Sequence, residues 1–204
     1  MGFRHNRKLN PQTSNSLLVV GLGNPGAKFQ RTRHNIGADA VMLLAKQLRA
    51  KPVKSRDKAE VWLAETEGKT LILACPTTYM NRSGESVLKL ARRCKITVGG
   101  DAEELLIVHD ELDIPPGQIK LKAGGGLGGH HGLESIRDHL RTADFLRLRI
   151  GIGKPPSKEE GADHVLSRPP PQERNLLQDA TERSAKAILM IAIDGFDFAL
   201  SQSH

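Results

Sequence analysis

The stretch LLVVGLGNPG, residues 17–26, decides the architecture expected of this chain. Residues 17–22 form a short apolar run around a glycine, the pattern of a strand buried on both faces. Such strands occur where helices cover both sides of a sheet. The same stretch satisfies G-x-G-x-x-G through Gly21, Gly23 and Gly26, the fingerprint of a dinucleotide-binding turn. That fingerprint opens directly into a helix, with an acid about twenty residues on for the ribose. Here helical periodicity begins only near Asn35, and Lys46 stands where the acid is needed. Asn24-Pro25-Gly26 therefore reads as a tight turn that aims the Asn24 amide, and a nicotinamide or flavin site is set aside.

Outward from this strand, apolar Ile36, Ala40, Val41, Leu44 and Leu48 recur at helical spacing over residues 35–49. Residues 61–67 and 69–75 are strand-like on either side of Gly68, which predicts a hairpin. A helix over 83–94 would bury Val87, Leu88, Ala91 and Cys94, and LLIV at 105–108 is a second buried strand. Residues 118–122 alternate, 131–140 are helical, and 146–152 alternate again, with Arg147, Arg149 and Gly151 opposite the apolar face. After a proline-rich connection at 168–171, a long helix is expected over 173–193, broken at Gly195. Interleaved strands and helices predict a single-domain three-layer α/β/α sandwich around a mixed, largely parallel twisted sheet over residues 16–204. Asn24, Asn81 and Asp110 each follow an apolar strand closely, which predicts one site at the strands' carboxyl ends.

Composition agrees with one ordinary globular domain: 204 residues, 38% hydrophobic and 26% charged. No apolar run approaches the roughly 18–20 residues of a membrane span. Cys75 and Cys94 make neither a disulfide framework nor a zinc motif, which fits a reducing cytoplasm. Residues 1–15 are basic and lack an apolar helical face, so a flexible tail is expected there rather than a targeting peptide. The net charge of +7 is uneven: residues 1–58 carry +10 and 118–154 carry +4, while 59–117 and 155–204 carry −4 and −3. A basic face suits a polyanionic partner, although without aromatic motifs there is little support for a platform stacking single-stranded bases.

The chemistry-bearing residues lie in three polar clusters. His34 in TRHN (residues 32–35) and Asp110 in HDELD (residues 109–113) would form a pair in which the carboxylate fixes the imidazole tautomer. The other ring nitrogen would then take a proton from water. No G-x-S-x-G elbow offers a serine nucleophile. The run GGGLGGHHG (residues 124–132) leads into a helix and suits close backbone approach to a ligand. Metal binding by His109, Asp110, His130 and His131 is weighed against the divergent aim of adjacent histidines and the lack of an HxxxH pair. Lys120 with Lys122, and Arg147 with Arg149, share strand faces beside the glycine run and would clamp phosphates there.

Six ordered segments resemble the bacterial-type peptidyl-tRNA hydrolase family: GLGNPG, TRHNIG, PTTYMNRSG (residues 76–84), HDELDIPPG (residues 109–117), GGGLGGHHGL (residues 124–133) and RLRIGIGKP (residues 147–155). The resemblance implies cleavage of the ester between a peptide and the tRNA 3′ ribose during rescue of stalled translation. It implies no metal or organic cofactor, a monomer, and peptidyl-tRNA as partner. It makes His34 the base, Asp110 its orienting partner, and Asn24 a hydrogen-bonding group near the scissile ester. It also implies that Asn81, with Tyr79 and Met80 beside it, holds substrate, that His130 lies by the water, and that Lys122 and Arg149 grip tRNA phosphates. Two positions depart from the family pattern. His131 replaces the asparagine of GGHNG, and Phe29 replaces a common tyrosine; both would line the substrate site. A non-catalytic RNA-binding member of the same fold, like the plastid intron-splicing relatives, is the alternative, and a metal-dependent hydrolase a third.

Overall fold

The computed structural model describes residues 15–100, 103–155, 157 and 159–202; the tail expected over 1–15 lies outside them except for Asn15. Among the described residues, seven strands build the sheet: β1 (Ser16–Gly21), β2 (Lys51–Val53), β3 (Ala59–Thr66), β4 (Lys69–Pro76), β5 (Leu105–Glu111), β6 (Ile119–Ala123) and β7 (Leu146–Gly151). Their spatial order is β2-β3-β4-β1-β5-β7-β6. The middle of the sheet, β4-β1-β5-β7, is parallel, and β2, β3 and β6 add antiparallel margins. Among the described residues six α-helices accompany it: α1 (Ile36–Gln47), α2 (Ser83–Cys94), α3 (His131–Leu140), α4 (Gly161–Leu166), α5 (Pro171–Asp194) and α6 (Phe196–Ser201).

The apolar run of β1 serves two cores, because successive side chains leave opposite faces of a strand. Leu17 and Val19 pack with Leu44 of α1, Ile188 of α5 and Ala199 of α6. Leu18 and Val20 pack with Leu90 of α2 and Ile136 of α3. All four β1 side chains have no exposure, and each contributes about 1.5–3 kcal/mol by leaving water. Truncating Leu18 to Ala would cost about 2–5 kcal/mol, since a packed core does not collapse onto the cavity.

Two glycines bring the first turn of α1 against the sheet. A Cβ on Gly21 would lie 2.5 Å from the Gly37 carbonyl oxygen, and one on Gly37 would lie 2.2 Å from that of Val108. Backbone meets backbone there, so the turn just before α1 is seated over the ends of β1 and β5. Gly21 and Gly37 serve this close approach, whereas Gly26 at φ 99° has open space around it.

Several sequence expectations need correction. β5 runs to Glu111, so His109 and Asp110 belong to the strand rather than to the loop after it. Leu90, not Leu88, completes the buried face of α2. Arg147 is 1% exposed and lies under the glycine run rather than on an outer face. β2 and α4 were not anticipated, being only three and six residues long. The break at Gly195 is present, with φ 91°, and the residues after it form α6.

Candidate active site

Adjacent parallel strands β4, β1 and β5 deliver their following turns to one edge of the sheet, and a cleft of about 580 Å³ opens there. Asn24, Phe29, His34, Tyr79, Met80, Asn81, Asp110, His130 and His131 all line it. The three polar clusters therefore meet at one cleft. Lys122 and Arg149 are not in its lining.

Asp110, 3% exposed, is the hub. Both of its carboxylate oxygens lie 2.9 Å from His34 Nδ1, and Oδ1 is also 3.0 Å from His130 Nε2. The tautomer of His130 follows from its surroundings. Its Nδ1 caps α3 by accepting from the backbone N–H groups of Gly132 and Leu133, at 3.1 and 3.3 Å. A nitrogen that accepts carries no proton, so the ring proton is on Nε2 and points at Asp110. His34 likewise donates from Nδ1, which leaves its Nε2 lone pair without a partner among the described residues, in a side chain lining the cleft. Burial alone would raise the Asp110 carboxyl. The charges and hydrogen bonds of His34 and His130 outweigh it and hold the group well below the usual carboxylate range.

His109 is beside this hub but of another kind. Its Nδ1 donates to the Asp110 carbonyl at 2.7 Å, and its ring meets His130 edge-on, centroids 5.0 Å apart. Burial first, then His130, pushes its imidazole down to about 3, which makes it a weak base, and it is buried outside the cleft lining. Ligand atoms of His34, Asp110 and His130 lie within 4.8 Å of one another, a spacing compatible with a cation. A metal there would replace both imidazole hydrogen bonds to Asp110.

Asn24 is fixed by a neighbour that the sequence reading passed over. Its N–H donates to Asn35 Oδ1, and Asn35 Nδ2 donates back to its carbonyl, both at 2.9 Å. Asn24 Oδ1 accepts from Met80 N–H at 2.8 Å, tying the turn after β1 to the turn after β4. Asn24 Nδ2 has no hydrogen-bond partner among the described residues, in a side chain lining the cleft. Tyr79, 56% exposed, meets Phe29 edge to face at 6.3 Å, forming an aromatic rim. Asn81 and His131 are exposed and make no side-chain hydrogen bond among the described residues. The far wall is α4, through Ala162, Val165 and Leu166. Its signal in the sequence was too short for helical periodicity.

The basic strands divide by role. Lys120 faces Arg149 across β6–β7, and Lys122 faces Arg147. Arg147 donates to the carbonyls of Gly125 and Gly126 at 2.6 and 2.7 Å and so holds the glycine run; it is no phosphate clamp. Lys122 reaches the same run, its Nζ lying 3.0 Å from where a Gly125 Cβ would be. Arg149 has only a loose ion pair, 3.7 Å to Glu111.

A cleft holding a buried carboxylate, two imidazoles of fixed tautomer and an unpaired amide donor has the parts for general-base hydrolysis by water. An α/β/α fold carrying these groups suits a hydrolase. The peptidyl-tRNA hydrolase family model matches residues 18–204. A peptidyl-tRNA hydrolase of Cutibacterium acnes is 42% identical, covering 89% of this chain and 94% of the relative. One of Delftia acidovorans is 47% identical, covering 83% and 81%. The crystal structure of the Acinetobacter baumannii peptidyl-tRNA hydrolase superimposes with a TM-score of 0.86 at 39% identity, covering 95% of this chain and 96% of that one. The chain belongs to the peptidyl-tRNA hydrolase family.

Proposed function

We propose that this chain hydrolyses the ester between a peptidyl, or N-blocked aminoacyl, group and the 3′ ribose of tRNA. The observation that carries the reading is Asp110 accepting from both His34 and His130 while His34 Nε2 remains free at the cleft. In the proposed reaction, His34 Nε2 takes a proton as water oxygen adds to the ester carbonyl. Asn24 Nδ2–H donates to the carbonyl oxygen as it gains negative charge. The tetrahedral intermediate then expels the ribose 3′ oxygen, which takes the proton back from His34, leaving a peptide acid and free tRNA. Asp110 faces the imidazolium at 2.9 Å and stabilises it during the proton's stay.

Asn81, Tyr79, Met80, Phe29 and His131 would hold the peptidyl and terminal-nucleotide portions along the cleft wall. His130 would keep Asp110 aimed and lie beside the attacking water. Lys122 and Arg149 would grip phosphates of the acceptor stem outside the cleft, where charge acts without entering the chemistry. The acting unit would be one domain, residues 16–204, working as a cytoplasmic monomer without metal or organic cofactor. Two buried, unpaired cysteines fit a reducing compartment, and among the described residues no helix is long and apolar enough to cross a membrane.

His34→Ala tests the reading. Turnover of N-acetyl-aminoacyl-tRNA should vanish while tRNA affinity stays within about twofold, because a base contributes to the barrier and little to binding. Normal turnover would remove His34 from the base role.

A further inference from the structure

A second cavity, of about 610 Å³, opens between α1 and α5 on the opposite side of the residue 29–34 turn from the catalytic cleft. Ile36, Leu43 and Leu177 form its apolar floor, and the side chains of Arg31, Arg168 and Arg174 stand around it. All three arginines are exposed, and none pairs with a carboxylate among the described residues. Arg168 uses one N–H on the Gln30 carbonyl at 3.2 Å, and Arg174 uses one on that of Pro169 at 3.5 Å. Since each guanidinium has five N–H donors, most of this donor capacity is unspent. Arg31 is also held at φ 61°, a left-handed backbone that a residue with a side chain rarely adopts.

The walls are built before any ligand arrives. Arg33, 6% exposed, makes two 2.7 Å bonds to Glu173 of α5 and also bonds Ser167 Oγ, and its backbone N–H reaches the Ser167 carbonyl at 3.1 Å. The turn before His34, the connection after α4 and the start of α5 are thus one cross-linked frame. Two acids share the lining, Asp39 and Glu182. Burial pushes the Asp39 carboxyl up to about 6 although Arg31 draws it down, so the acid weakens the cavity's positive field less as pH falls towards that value.

We propose that this cavity is a binding site for phosphate groups, distinct from the catalytic cleft and from the Lys122–Arg149 strands. Unspent planar guanidinium donors match phosphate oxygens bidentately, which favours phosphate over a single carboxylate. The site lies on the α1–α5 face of the sheet, whereas Lys122 and Arg149 share the α2–α3 face. Two sources present this chemistry: the backbone of a bound tRNA, or a small phosphate-bearing molecule. Because Arg31 and Arg33 lie within three positions before His34 and Arg168 follows α4, an occupant touches the two segments that flank the catalytic cleft.

The test is a binding experiment that needs no turnover. The protein labelled with 15N at arginine is titrated with inorganic pyrophosphate while the side-chain Nε–Hε resonances are followed, then with deacylated tRNA. Saturable shifts are expected at Arg31, Arg168 and Arg174. The double variant Arg168→Gln with Arg174→Gln should weaken pyrophosphate roughly tenfold or more, since a hydrogen bond to a charged group is worth about 1.5–3 kcal/mol. Both side chains are exposed, so the fold should be retained, which circular dichroism checks. Displacement of pyrophosphate by tRNA would assign the site to the tRNA backbone; simultaneous binding would assign it to a small phosphate compound. If neither probe shifts these resonances saturably, or if all exposed arginines shift alike, the proposal is wrong. Failure of hydrolysis with intact pyrophosphate binding would count against the enzymatic reading alone.

Discussion

Replacing Asp110 by Asn probes the catalytic pair with almost no change of volume. The carboxylate accepts from His34 Nδ1 through both oxygens and from His130 Nε2 through Oδ1. An amide keeps one acceptor and turns an NH2 donor on the other side. With the oxygen kept for His130, whose proton is fixed on Nε2 by the α3 cap, the NH2 faces His34 Nδ1. The NH2 donor opposes the Nδ1–H even though Oδ1 stays 2.9 Å away, which favours the tautomer with the proton on Nε2 and no lone pair to accept from water. The charge opposite the developing imidazolium disappears as well. The loss should be on the order of 10²–10⁴ in rate, the range for a base or for its wrong tautomer. This corresponds to about 3–5 kcal/mol of barrier. Asp110 is 3% exposed and its carboxylate is engaged by the two histidines, so tRNA affinity should hold. The assay is single-turnover cleavage of N-acetyl-aminoacyl-tRNA, with tRNA binding and circular dichroism measured in parallel. A folded variant that retains a rate within threefold of the parent would refute the reasoning.

Other predictions follow from the same geometry. If about three or four phosphates are neutralised, log K against log salt should fall with a slope of roughly −2 to −4, and Lys122→Gln with Arg149→Gln should flatten it by roughly 1–2. An unchanged slope would take these two side chains off the phosphates. His131→Asn restores an amide that donates and accepts at once, and kcat/KM should rise about 2–10-fold, the worth of one hydrogen bond; a fall would mean that the imidazole serves this chain better. His109 supplies a pH signature in stability. Its imidazole is neutral in the fold down to about 3, while in the unfolded chain it charges near 6.5. As pH falls through that window the unfolded state binds the extra proton, so stability drops by up to about 1.4 kcal/mol per unit. His109→Phe should flatten that part of the urea-midpoint profile, and a profile of unchanged steepness would show that other groups control it.

Much of this organisation was legible in the chain because the signals were local. LLVVGL and LLIV are continuous apolar runs, and only strands covered on both faces need them. Polar residues at or just past the ends of such strands had to collect at one edge, and Asn24 and Asn81 after β1 and β4 and Asp110 near the end of β5 do so. Residue roles that depend on partners far along the chain were not legible. Asn35 steadies Asn24 through reciprocal amide bonds across eleven positions, and nothing in TRHN distinguishes that from an ordinary helix start. Arg147 and Arg149 alternate identically in sequence. Only the path of the glycine run makes the first a buried strut and leaves the second partly open. His130 was expected beside the water, but its hold on Asp110 depends on a cap geometry that appears only when α3 begins. The two-face charge pattern suggested one basic surface, and the cavity ringed by Arg31, Arg168 and Arg174 joins segments more than a hundred residues apart.

The most direct test of the account is hydrolysis of N-acetyl-aminoacyl-tRNA beside the unblocked aminoacyl-tRNA, with a chelator present throughout. The account predicts rapid cleavage of the blocked ester, little of the free-amine ester, and no effect of the chelator. No cleavage of the blocked ester by a protein that still binds tRNA would contradict it and leave an RNA-binding member of the fold. Activity abolished by the chelator would instead make His34, Asp110 and His130 the ligands of a metal.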